Sequence, residues 1–148
     1  MTVSDNKYKM GTRGLYVFRY TNKWYVFYNH CDSYPEGLGQ KIVNELKTLD
    51  WDEVKHLVEL INDSHVDGSC ADLRYKGLMM ALKSPSDYML QGIDDKFVPS
   101  KYDHEYAYVI NLDANMFEIC YFSNDYEQYN VQRFTLTAVP ENWAEYML

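Results

Sequence analysis

The chain has 148 residues, 47% hydrophobic and 24% charged, the make-up of one globular domain spanning 1–148 that buries a core without disulfide or metal staples. Fourteen basic residues stand against 22 acidic ones for a formal charge of −8, with no run of Lys or Arg. Phosphate-backbone binding needs such a run, so no nucleic-acid partner is expected.

Cys31, Cys70 and Cys120 are odd in number and widely spaced, which argues against a disulfide framework or a structural zinc site and for reduced thiols. Residues 1–10 lack an apolar signal core, and no apolar run approaches the roughly 18 residues of a membrane span. The expectation is a soluble, intracellular, cytoplasmic protein with no membrane contact, a virion or host-cell location being the alternative. Fifteen tyrosines and 16% aromatic residues make either a tyrosine-rich core or an aromatic contact face for a partner.

In chain order, Leu15 to Tyr20 and Trp24 to Asn29 are dense in aromatic and β-branched residues, with only Thr21-Asn22-Lys23 between them. They predict a β-hairpin. If all three intervening residues form the loop, Gly14 faces His30 and Thr12 faces Asp32. If Asn22-Lys23 alone turn the chain, Arg13 faces Asp32, though Lys23 would then need a positive φ. Either register gathers Thr12, Arg13, His30 and Asp32 at the open end of the hairpin.

Glu36 to Leu49 places Leu38, Ile42, Leu46 and Leu49 along one helical stripe. Asp50-Trp51-Asp52-Glu53 resembles a capping box, followed by Val54, Leu57, Val58 and Ile61 at helical spacing, with His56 on the solvent side. A loop is expected over His65 to Ser69, then a helix over Ala71 to Leu82 with Met79-Met80 as core filling. Ser84 caps a short helix that Pro85 opens and Gly92 ends. Ile93 to Tyr102 reads as an irregular connection, a natural place for a lid or a partner contact. Tyr106 to Leu112 and Met116 to Phe122 form a second hairpin in which Asp113 is the hydrogen-bonding turn residue. Val131 to Val139 is the last strand, and Pro140 opens a helical turn whose Trp143 and Tyr146 pack back on the sheet. Asp103-His104-Glu105 could be read as a metal cluster, but adjacent strand residues point to opposite sides. No metal and no cofactor is therefore expected.

These elements predict an α+β fold: an antiparallel sheet of about five strands, two hairpins plus a C-terminal strand, packed against a central block of three to four helices. Both sides of the first hairpin are apolar, so it is expected as an interior pair.

The chemistry-bearing residues cluster at the mouth of that hairpin. Met10-Gly11-Thr12-Arg13-Gly14 precedes it, and His30-Cys31-Asp32-Ser33-Tyr34-Pro35-Glu36-Gly37-Leu38-Gly39 follows. This pattern resembles an uncharacterised family of fungal and large DNA virus proteins. Phage and bacterial proteins with Gly-Thr-Arg-Ser and His-x-Asp-Gly-Tyr-Pro look like more distant relatives. Ile110-Asn111-Leu112-Asp113 with Phe117 matches the second block of the group. The resemblance implies a family and no mechanism. Many members start close to the residue matching Met10, whereas here nine residues precede it.

Two functional expectations follow. One is a non-catalytic protein-interaction or accessory module, with another protein or with itself, in a virus-related setting. The other is a small hydrolase-like or ligand-binding enzyme, with Arg13, His30 and Asp32 as its polar centre and Thr12 or Ser33 as hydroxyl donor or nucleophile. In that reading Tyr34 and Pro35 turn the chain, and Gly37 and Gly39 admit a ligand beside the first N–H groups of a helix. A variant uses Thr12 as an amino-terminal nucleophile, which requires removal of residues 1–11. The structural alternative makes Arg13 and Asp32 an ion pair bracing the hairpin and His30 a hydrogen-bonded strand end.

Overall fold

A computed structural model describes residues 12–62, 74–90, 96–97, 104–122 and 129–147. The expected loop over His65 to Ser69, the start of the helix from Ala71, Cys70, Gly92, Asp103, Met10-Gly11 and most of the Ile93 to Tyr102 connection lie outside them.

Strands β1 (Arg13–Tyr20) and β2 (Lys23–His30) form the expected hairpin. A π-helical turn over Pro35–Gly39 then leads into α1 (Gln40–Leu46), so the stripe Leu38, Ile42 and Leu46 is buried as its spacing requires. Helix α2 (Trp51–Glu59) starts at Asp50, whose carboxylate accepts from the N–H groups of Asp52 and Glu53. Val54, Val58 and Ile61 face inward, and His56 is exposed as expected. Helix α3 (Leu78–Lys83) begins later than expected among the described residues, because Gly77 takes φ +124 just before it. Met79 packs on the core but Met80 is half exposed, so only one of the two methionines fills it. Helix α4 is the short turn Pro85–Tyr88, and the Ser84 side chain does not cap it. Strands β3 (Tyr106–Asn111), β4 (Met116–Phe122) and β5 (Tyr129–Thr135) follow, with a closing 3-10 turn at Trp143–Tyr146.

The sheet order is β2-β1-β3-β4-β5. It is mixed, because β1 and β3 run parallel while every other pair is antiparallel, which corrects the expectation of a purely antiparallel sheet. The helical block returns the chain to the mouth of the first hairpin, where Glu105 N–H donates to the Arg13 carbonyl (2.9 Å). A strand that starts beside the start of β1 can only run parallel to it, and the long crossover supplies the connection that a parallel pair needs. Only β1 of the first hairpin is therefore interior; β2 is an edge. Strand β5 also begins and ends earlier than the expected Val131 to Val139.

Both faces of the sheet are buried, and period-2 alternation sorts the residues between them. Tyr16, Phe18, Tyr25, Phe27, Tyr108 and Phe117 join the helices in the larger core. Leu15, Val17, Val26, Tyr28, Val109 and Cys120 form a smaller one, on which Trp24, Leu90, Phe97 and Tyr129 pack. No helix among the described residues is long and apolar enough to cross a membrane.

Candidate functional site

The hairpin register decides what meets at its mouth. Tyr20 pairs with Lys23, so Thr21-Asn22 alone form the turn, and Arg13 faces His30 while Gly14 faces Asn29. Both expected registers are thereby corrected. Thr21 and Asn22 sit at φ +52 and +62, and a β-branched residue resists that region. What holds them there is Asp113 from the turn of the second hairpin: one carboxylate oxygen accepts from Thr21 N–H (2.8 Å), the other from Asn22 N–H (2.9 Å). Asp113 is thus a turn residue, as expected, but of the other hairpin. In its own turn Asn111 accepts from Ala114 N–H instead.

With this register the sheet itself divides the candidate residues. Arg13 and His30 lie opposite one another on the side of the smaller core, the side of Leu15 and Tyr28. Gly14, Asn29 and Ser33 lie on the helix-covered side, where a Cβ on Gly14 would run into the Ser33 side chain. Thr12, just ahead of β1, is buried. Asp32 is exposed at φ +54, next to Cys31 at φ +72. Arg13 and Asp32 do not form the expected ion pair. The Arg13 guanidinium is 3.2 Å from Glu105, whose second oxygen accepts from the Arg13 N–H (2.6 Å). Glu105 immediately precedes β3, the strand that lies beside β1, so it reaches Arg13 first, whereas the left-handed backbone at Asp32 carries that side chain into solvent. The His30 Nδ1 meets the Tyr28 hydroxyl at 3.1 Å.

Ser33, the candidate hydroxyl donor or nucleophile, is fully buried in a polar knot. Its Oγ accepts from Asn29 Nδ2 (2.8 Å) and donates to the Asn29 carbonyl (3.3 Å). The same amide donates to the Cys31 carbonyl (2.8 Å), and its Oδ1 accepts from Tyr75 N–H (2.6 Å). Tyr108 donates its hydroxyl to the Ser33 carbonyl (2.8 Å). Burial raises the Tyr108 phenol well above its ordinary range, which keeps it protonated and donating. Asn29 is thus the centre of the site, and no motif pointed to it. Its one signal is a lone amide in an otherwise aromatic, buried strand.

The space beside the motif glycines is also filled by the chain. A Cβ on Gly37 would strike the Asp32 carbonyl, which accepts from Leu38 N–H (2.9 Å). One on Gly39 would stand 2.6 Å from the Trp143 ring and 2.9 Å from Tyr108. The Tyr34 carbonyl accepts from Gly37 N–H (2.9 Å), so these groups serve the turn. The glycines allow close approach, as expected, but what approaches is protein.

Two further titratable groups are set by burial. Glu45 on α1 accepts from the Tyr75 hydroxyl and from Leu78 N–H, and desolvation raises its carboxyl above the ordinary range. Burial likewise pushes the Cys120 thiol up to about 11, which keeps it protonated and unreactive. Among the described residues no group of three or more His, Cys, Asp or Glu is placed to hold a metal ion. No family model, no curated protein and no solved structure matches this chain.

Proposed function

We propose that the chain is a non-catalytic protein-interaction or accessory module that meets its partner at the β5 end of its sheet. The observation that carries this reading is the inequality of the two sheet edges. At β2 the chain covers its own edge: Met89 bridges to Phe27, and Leu90 N–H donates to the Val26 carbonyl (2.9 Å). At β5 no described residue pairs with the outer side from Val131 to Thr135. Edge strands left open are templates for another chain, and natural proteins blunt them where pairing is unwanted. Strand β5 carries no Lys, Pro or Gly, and its one charge, Arg133, is held by Glu118 at 2.9 Å.

The hydrolase-like alternative loses support at the hairpin mouth, where Arg13 and His30 are separated by the sheet from Ser33. The resemblance to fungal and viral proteins fits the module reading as well, since most of its motif residues serve the packing described above; membership of that family is part of the proposal. The test is size-exclusion chromatography and cross-linking of the protein from its native source. A complex that Val131→Lys weakens is the expected result. A free monomer, with or without the substitution, refutes the reading.

A further inference from the structure

The C-terminal turn gives the β5 edge a chemical character. Trp143 stacks edge-on against Phe117 of β4 (6.3 Å), and one step further out Tyr146 stacks edge-on against Phe134 of β5 (5.3 Å). Phe134 is partly buried while Tyr146 is 49% exposed, so the pair forms an aromatic platform beside the edge. Glu145 in that turn and Glu141 just ahead of it are both exposed. The described basic residue nearest in the chain, Arg133, lies on the opposite side of the strand, where Glu118 neutralises it. On that opposite side Val131 is 40% exposed.

We propose that this edge takes an extended peptide segment bearing lysine or arginine as an additional β-strand. Main-chain hydrogen bonds to Val131–Thr135 supply affinity in strand addition, and alternate side chains supply specificity. On the helix-covered side the incoming residues meet the Phe134–Tyr146 platform and the carboxylates of Glu141 and Glu145, which select aliphatic stems ending in a positive charge. A lysine or arginine lays its methylenes on the aromatic rings and its head on the carboxylates. On the other side a small aliphatic residue covers Val131. A second copy of this chain is a poorer occupant, because it brings a body of charge −8 against another.

The inference rests on the module reading and narrows it to one edge and one class of partner. Its test uses the full-length protein, isotope-labelled, with a capped heptapeptide of alternating lysine and valine and its glutamate–valine counterpart. The expected result is amide shifts at Val131–Thr135 on adding the lysine peptide, with binding about tenfold or more tighter than the glutamate peptide at low salt. Glu141→Lys with Glu145→Lys, both exposed and outside the core, should abolish that preference. Three outcomes overturn the proposal: shifts at another surface, equal binding of the two peptides, or no binding. Concentration-dependent dimerisation through β5 in sedimentation overturns it too, in favour of a second copy. In each case a native complex recovered by cross-linking leaves the module reading standing, so the two failures are distinguishable.

Discussion

Replacing Asn29 by alanine tests whether the hairpin mouth is a packing knot. Asn29 is 3% exposed, and its amide serves Tyr75 N–H, the Cys31 carbonyl and Ser33 Oγ. Truncation strands the Tyr75 N–H, a buried donor, at about 1–3 kcal/mol. It also removes the bond to Ser33, worth about 1 kcal/mol net. The Cys31 carbonyl belongs to a half-exposed residue, so water replaces its donor at little cost. The expected loss is about 3 kcal/mol, a large share of the roughly 5–15 kcal/mol that holds a domain of this kind together. Ser33→Ala alone should cost about 1 kcal/mol, because Ser33 keeps its main-chain bond from Tyr108. The double variant should cost less than the sum, with a coupling of about 0.5–1.5 kcal/mol for the shared Nδ2–Oγ bond. Urea unfolding followed by tryptophan fluorescence reads all four corners of the cycle. Asn29→Ala costing under about 1 kcal/mol, or a coupling of zero, would refute the knot.

Gly39→Ala should destabilise by about 1–3 kcal/mol, since its Cβ meets two fully buried rings that have nowhere to move; a thermal melt at the wild-type temperature would contradict this. Thr21→Asn should stabilise by up to about 1 kcal/mol, because asparagine tolerates the left-handed region that threonine resists and keeps the N–H groups that Asp113 accepts. Glu45 has a folded-state pKa above its unfolded one, so its contribution is fully present below about 4.5 and is lost as pH rises through the raised value. Wild type should accordingly gain stability relative to Glu45→Gln on acidification from pH 7 to 4, and a gain in the other direction would exclude the buried-carboxyl account.

Local patterns made much of the fold legible. The stripes Ile42–Leu46 and Val54–Val58–Ile61 are buried as their spacing demands, and Asp50 caps α2 through its own carboxylate. Each depends on residues within one or two turns. What was not legible is what distant segments do to one another. The Thr21-Asn22 turn needs a carboxylate from Asp113, and nothing near the turn announces it. Arg13 takes Glu105 because β3 returns parallel to β1, a pairing fixed by where the helical block ends. A one-residue change in hairpin register then moves the meaning of the motif, because it decides which residue faces Arg13 and which faces Gly14.

The demands of packing and of chemistry on the His30 to Gly39 motif can be separated residue by residue. Gly37 and Gly39 have no room for a Cβ, and Ser33 must be small to fit over Gly14 and polar to satisfy Asn29. Asp32 stands at positive φ, where a short polar side chain is tolerated and its carboxylate is not required. Arg13, the first residue of β1, is clasped by Glu105. His30 is half-buried at the end of β2. It meets the Tyr28 hydroxyl through one ring nitrogen and faces an arginine already in an ion pair. General acid–base work needs the base within reach of the group it serves, and Ser33, the candidate hydroxyl donor or nucleophile, is on the other side of the sheet, bound to Asn29. The motif thereby acts as the fastening of the sheet to α1.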